Sequence, residues 1–406
     1  MDSLITSAAQ SLALGDPLGA LNRIALRNDA PALALRGIIM AQLGDLDRAR
    51  SLLRTARKTF GTREVLARAR CVVAEAETAF VSRDLSGSAK ALQNAQAVLQ
   101  QQGDKVNAAH ARLLVIRRLL LLGKLNQAEQ ALNQQDPIRL PPALRTVHAL
   151  AIAGIAMRRL QARRARLALN WAAEAARQAG TAGLIGEVED SLKRLNGPAA
   201  CLIQGDKSHL LSLDDIEALM SSSALVVDAC RYTVHSRDSI IPLARRPVLF
   251  ALIRALGEAW PADISREELV QRAFRQKMTD DSLRARLRVE IGRLRTELKG
   301  LARIRATYRG FVLAPSNEEE VLVLAHPTEQ KHGEVLALLA DGESWSSSAL
   351  ALALGTSQRS VQRVLESLDE AHKVQSVGRG RTRRWLATPI PGFTTTLLLP
   401  GSLPGN

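Results

Sequence analysis

The chain has 406 residues, of which 46% are hydrophobic and 3% aromatic, and a formal net charge of +15. That length points to about two to four domains. The scarcity of aromatics argues against a single-strand binder that stacks bases on aromatic platforms. The longest apolar runs, such as 149–157, fall well short of the roughly 20 residues that span a bilayer, which argues against a membrane partner. The start MDSLITSAAQ lacks the basic segment of a signal peptide, so a cytoplasmic location is expected. Cys71, Cys201 and Cys230 are isolated, without zinc-ligand spacing, and read as reduced thiols. No nucleophile–base pattern, nucleotide loop or metal cluster stands out. The expectation is a non-enzyme with no cofactor and no metal.

The basic charge is unevenly spread. Residues 245–310 carry 16 basic and 8 acidic side chains, and residues 372–406 carry five basic and none acidic. Residues 1–200 are also basic, 28 against 16, so the local clusters weigh more than the total.

The N-terminal half repeats itself. Gly15, Ala20 and Ile24 are spaced five and four apart, as are Gly44, Ala49, Leu53 and Gly123, Ala128, Leu132. Weaker copies sit at Asp84, Ala89, Gln93 and at Arg163, Ala168, Ala172. A small residue lets the chain turn, a small Ala lets two helices approach, and a larger apolar residue fills the seam. This pattern, over about residues 5–180, resembles the tetratricopeptide family of helix–turn–helix repeats, with a generic α-solenoid as the broader description. The resemblance implies a surface for a protein or peptide partner. Arg158, Arg159, Arg163, Arg164 and Arg166 either meet an acidic partner or form a solvated helix face. His110 and His148 read as structural or exposed, and Gly123-Lys124 lacks the spacing of a P-loop. Asn196-Gly197-Pro198 breaks the helical pattern. Residues 197–224 then read as a linker or accessory segment, with Ser212 and Asp215 capping a short helix.

Residues 225–234 and 240–243 read as a short antiparallel sheet. Pro247 starts a helix with an apolar face of Val248, Leu249, Leu252, Ile253 and Leu256. Ser265 and Glu268 form a capping-box pattern before a second helix. In the third, Leu283, Leu287, Ile291, Leu294 and Leu298 form a buried stripe. The opposite face carries only Ser282, Ala285, Val289, Gly292 and Thr296. Arg284, Arg288 and Arg295 flank it on one side, Arg286 and Arg293 on the other. A lean ridge between guanidinium rows suits a DNA groove between phosphate rails, and a solvated basic helix is the competing reading. A β-ribbon follows, with Arg309 beside Gly310 as its turn glycine.

The sheet, the three helices, the run Val289-Glu-Ile-Gly-Arg-Leu-Arg295 and the Arg309-Gly310 ribbon resemble the OmpR/PhoB-type winged-helix effector domain over about ninety residues. The resemblance implies that the third helix enters the major groove and the wing arginine the minor groove. It implies base-facing positions for Arg288, Val289 and Arg293, a phosphate contact for Arg295, and the wing role for Arg309. It also implies RNA polymerase as a partner for the loop 275–281. Glu290 stands where the family often has His, and the wing lacks the usual second glycine, so base preference does not carry over. No receiver domain precedes this segment.

A second pattern occupies residues 329–388. Gln330 to Leu339 reads as a short helix, and Ser346 or Ser347 caps the next. Ala351, Gly355 and Val361 have helix-turn-helix spacing. Val361, Val364, Leu365 and Leu368 form the inner face of the following helix, and Gln358, Arg359, Gln362 and Arg363 point outward as candidate base contacts. Arg379, Arg381 and Arg383 lie on a basic hairpin that Trp385 anchors. This segment resembles general bacterial winged-helix repressors, with protein docking as the competing role.

The expected fold is mainly α: an α-solenoid of helical hairpins over 1–196 and a linker or accessory segment over 197–224. Winged-helix (α+β) domains then occupy 225–314 and 329–388, with a linker at 315–328 and a tail at 389–406. The expected function is a bacterial transcriptional regulator that reads double-stranded DNA. A scaffold whose winged helices dock proteins is the alternative.

Overall fold

A computed structural model describes residues 3–81, 89–121, 124–205, 207–236, 239–274, 280–316, 320–325, 327, 335–336, 339, 345–354, 357–371, 373–378, 380 and 383–387. The protein is mainly helical, with its sheets toward the C-terminus. Its described residues divide into two compact units: one within 1–155 and 164–192, the other within 156–163 and 193–387.

The N-terminal helices are α1 (Ser3–Ala13), α2 (Pro17–Ile24), α3 (Ala30–Gln42), α4 (Leu46–Thr59), α5 (Val65–Val81), α6 (Ala89–Gln101), α7 (Lys105–Leu121), α8 (Leu125–Asn133), α9 (Pro142–Arg158), α10 (Ala162–Ala179) and α11 (Ala182–Asn196). From α1 to α8, consecutive helices pack together, and α1, α3, α5 and α7 also touch one another in turn. Gly15 and Gly44 take left-handed backbone at φ +83° and +87°, which a side chain would resist. Asp16 and Asp45 then cap α2 and α4. Ala20, Ile24, Ala49, Leu53 and Ala128 are fully buried. Helices α3 and α4 meet so closely at Gly37 that an added Cβ would lie 2.7 Å from Leu53.

Two repeat copies are corrected. Around the third, Asp84 lies outside the described residues, Ala89 is half-buried and Gln93 exposed, while Leu92, Ala95 and Leu99 face the core. In the fifth, Ala168 and Ala172 are fully buried as expected, and the correction is to the turn residue, which is Leu160 at φ +59° and not Arg163. Ala165 and Leu169, five and nine residues on, are fully buried. The five-and-four spacing holds there with a non-glycine in the left-handed position, so a search for small turn residues slips by three. His110 and His148 are both buried, His110 Nε2 lying 3.2 Å from the Glu77 carboxylate.

The second unit holds a six-stranded sheet in the order β2-β1-β9-β3-β4-β5. Its strands are β1 (Ala200–Gln204), β2 (Lys207–Leu211), β3 (Leu225–Asp228), β4 (Thr233–Ser236), β5 (Ser239–Pro242) and β9 (Val321–Ala325). Residues 197–224, read as a linker or accessory segment, supply β1 and β2, and α12 (Leu213–Met220) with the full Ser212–Asp215 capping box. The linker expected at 315–328 is corrected. Residues 315–328 supply β9, which pairs antiparallel with β1 and parallel with β3. The Val-Leu-Val-Leu run of β9 is buried on both faces, as an inner strand requires.

Against this sheet lies α13 (Pro247–Ala259), on which α14 (Arg266–Phe274) and α15 (Asp281–Glu297) pack, followed by β7 (Ala302–Ala306) and β8 (Gly310–Pro315). With β6 (Ile264–Ser265) the last two form a three-stranded sheet in the order β6-β8-β7. Farther on come α16 (Ser347–Leu354), α17 (Gln358–Glu370), β10 (Val374–Val377) and β11 (Arg384–Ala387). Val335, Leu336, Leu339, Leu350, Val361, Leu365 and Trp385 make a separate core there. Gly355 and the tail 389–406 lie outside the described residues.

Burial pushes the thiols of Cys71 and Cys230 up to about 12, so they stay protonated and inert, whereas Cys201 is only half-buried. Mass spectrometry after brief alkylation of the native protein is expected to find Cys201 labelled first. Gly37→Ala is expected to cost about 1–3 kcal/mol and lower the thermal midpoint. Burial also holds His148 and His235 below the ordinary 6.5. Their contribution to stability is complete above that value and is lost as pH falls through it, because the unfolded chain takes up the protons first. Glu75, raised by burial, works in the opposite sense at lower pH. Denaturant melts at pH 7 and pH 5.5 are expected to show a smaller loss for His148→Gln than for the unaltered chain.

Candidate nucleic-acid interface

Helix α15 begins where Asp280 accepts the Leu283 N–H at 2.7 Å. Leu287, Ile291 and Leu294 are almost completely buried, and Leu298 closes the stripe. Leu283, nearer the start, is only partly covered. Burial of that stripe, at roughly 25 cal/mol per Å2 of apolar surface, fixes the rotation of the helix. Ser282, Ala285, Val289, Gly292 and Thr296 are consequently all exposed, Val289 at 54%. The ridge is open to solvent along its length.

Each flanking arginine has a distinct setting. Arg284 lies 3.2 Å from Glu267 of α14, and Arg286 stacks over Phe274 with its guanidinium carbon 4.7 Å from the ring centre. Arg293 pairs with Glu290 at 2.9 Å, within the helix. Arg295 donates from Nε to the Ile304 carbonyl at 3.0 Å and so ties α15 to β7. Arg288 is exposed and has no partner among the described residues. Arg246, at the start of α13, forms an ion pair with Glu297 near the end of α15. A shallow cleft of about 500 Å3 lies beside these groups, lined by Arg246, Val248, Glu290, Arg293 and Thr296.

The β7–β8 hairpin is tightly built. Arg266 donates to the carbonyls of Thr307 and Tyr308 at 3.0 and 2.9 Å. Thr307 donates to Asp263 at 2.6 Å and accepts from the Gly310 N–H at 2.9 Å. Gly310 is not a left-handed turn residue. It is the first residue of β8, and an added Cβ would sit 1.8 Å from the Ile264 carbonyl oxygen. Glycine is required there by close strand approach. Arg309 is 66% exposed and 3.9 Å from Asp263. The Tyr308 side chain stands free in solvent.

Sequence reasoning missed Arg303 and Arg305, which are both exposed on β7 while Ala302 and Ile304 face the core. The alternation Ala-Arg-Ile-Arg was the available signal. It also missed Arg266, whose role depends on a contact across 42 residues. The Ser265 hydroxyl accepts the Glu268 N–H at 3.1 Å, but the Glu268 carboxylate turns to Arg272 at 2.7 Å, so that capping box is only half made.

In the second arrangement Ser357 caps α17, whose Val361, Leu365 and Leu368 are buried. Arg359, Gln362 and Arg363 are exposed on its outer face, whereas Gln358 donates to Ser347 of α16 at 3.1 Å. The backbones of Trp345 and Trp385 pair, and Arg383 stacks on the Trp385 ring at 4.3 Å. Arg379 and Arg381 lie outside the described residues, as do 275–279 of the loop expected to touch polymerase. Among the described residues there is no group of acidic, His and Cys side chains fit to hold a metal, and no helix is long and apolar enough to cross a membrane. No family model matches the chain, and no curated protein or solved structure matches it either.

Proposed function

We propose that this protein is a bacterial transcriptional regulator that reads duplex DNA with two winged helices, and that its N-terminal helical repeats receive a protein or peptide partner. The observation that carries the reading is the outer face of α15: a lean, exposed ridge between rows of guanidinium groups. B-DNA offers a groove about 12 Å wide with acceptors on guanine that suit arginine. In this reading α15 lies in the major groove, and the hairpin carrying Arg303, Arg305 and Arg309 follows the adjoining backbone. Helix α17, with Arg359, Gln362 and Arg363 outward, is the second reader.

The ion pair of Arg284 with Glu267 is compatible with this role: both side chains are exposed, such pairs contribute about 0–1 kcal/mol, and a phosphate displaces the carboxylate at small cost. Glu290 is only 12% exposed, so Arg293 is held more firmly and a phosphate or base edge must engage it beside that carboxylate. The partnered arginines are held close to the ridge, which limits the entropy lost on binding. Arg288, exposed beside Val289 and without a partner among the described residues, is the side chain most available for a base.

Mobility shifts with random duplexes over a range of salt test the reading. Observed affinity is expected to fall by about 0.9 log units per phosphate contacted for each decade of salt. A scaffold protein would bind no duplex even at low salt, and that outcome would sink the proposal. On a selected target, Arg288→Ala is expected to cost about 1–3 kcal/mol. Glu290→Gln removes the carboxylate that competes for Arg293, so tighter duplex binding than the unaltered chain is expected in the same titration.

A further inference from the structure

We propose that Tyr232 locks α15 and α17 into one rigid reader, so that a duplex target must present two contact blocks at one spacing and one helical phase. The inference rests on the duplex-binding reading above and goes beyond it, because two readers on a flexible tether would accept many spacings.

Tyr232 lies between β3 and β4 with φ +56°, in the left-handed region that a residue with a bulky side chain avoids. Its neighbours hold it there. The fully buried Asp228 carboxylate accepts the N–H groups of Cys230 and Arg231 at 2.8 and 3.1 Å and the Arg231 guanidinium at 3.1 Å. On the far side, the Tyr232 carbonyl accepts the Leu243 N–H at 2.8 Å. A strained conformation fixed from both sides is the kind that persists because it performs a task.

The task is visible in where the ring goes. It lies 4.5 Å from the Phe250 ring of α13, tilted by 39°, and packs against the core that also holds Leu287 and Ile291 of α15. The same ring packs against the second core, which holds Val361 and Leu365 of α17 and the Trp385 anchor. One aromatic side chain thus belongs to both hydrophobic cores. Helices α13 and α16 also touch directly. Each reading helix is fixed to its own core by its buried stripe, so a wedge shared by the cores sets the relation between the two exposed faces.

Duplex DNA is stiff over such distances, with a persistence length of about 150 base pairs, so it does not adjust to a fixed reader cheaply. A tethered pair behaves differently, since effective concentration falls only slowly with tether length.

The experiment uses the full chain and duplexes that it recovers from a random library. Insertions of about 5 and about 10 base pairs, roughly half a turn and one turn, are placed between the two footprinted blocks. Each insertion is expected to weaken binding on the order of 100-fold, the loss of the second block's avidity. Tyr232→Gly removes the wedge and tolerates the left-handed backbone. It is expected to bind the uninterrupted site more weakly than the unaltered chain and to lose most of the insertion penalty. Tyr232→Phe keeps the ring and is expected to keep the penalty. If the glycine variant does not fold, Tyr232→Asn takes its place, since Asn also visits this conformation. Insertions tolerated by the unaltered chain, a footprint with one block, or a folded wedge-free variant that keeps the full penalty would each overturn this inference alone. Absence of any duplex binding would remove the underlying reading as well.

Discussion

The candidate interface depends on the seating of α15. Leu287, Ile291 and Leu294 sink into a core shared with α13, β6, β7 and β8, and this choice of inner face decides what is left outside. Nothing on the outer face needs a specific contact to stay exposed. Ser282, Ala285, Gly292 and Thr296 are too small to reach across to a neighbour, so the arginines on either side stand above them. Hydrophobic burial sets the direction of the helix, and the polar groups take their places from it. The Arg295 link to the Ile304 carbonyl adds a directional restraint between helix and hairpin, of about 1.5–3 kcal/mol for a hydrogen bond from a charged donor.

A second constraint is electrostatic. Most arginines near the ridge have a local partner, whether a carboxylate, a carbonyl or a ring. Clustered like charges would repel one another, and interspersed Glu267, Glu290 and Glu297 relieve that repulsion in the free protein. The surface therefore presents cations that are ordered in advance and only weakly neutralised. In the proposed role this arrangement suits a polyanion better than isolated small anions, because only a repeating charge can engage several of these groups together.

Much of this was legible in the chain itself. The leucine stripe of α15 and the Ala and Leu positions of the early repeats follow from helical periodicity, since burial on one face dictates apolar residues at those intervals. The alternation in β7 was equally readable and was overlooked. What escaped was non-local. The run 321–325 looks like a linker because its neighbours are polar, and only its pairing with β1 and β3 makes it the middle of a sheet. Gly310 was legible as an obligatory glycine but not for the right reason, since its cause is the Ile264 carbonyl across the strand. Leu160 holds a left-handed turn that no propensity rule would assign to leucine. Tyr232 belongs to the same class: its conformation is fixed by Asp228 and its ring by two cores, and neither is written in the local sequence.

The position of β9 bears on how the arginine-bearing helices were assembled. The chain leaves the hairpin, returns to the sheet and threads itself between β1 and β3, which come from far earlier. A fragment excised at 314 would leave the inner edge of β3 bare, with unsatisfied backbone donors and acceptors next to an apolar face, a template for intermolecular pairing. The arginine-bearing part is thus not portable as a cassette. Grafting it onto another protein requires carrying the strands on both flanks, and an insertion within 321–325 shifts the register of β9 against β1 and β3 together.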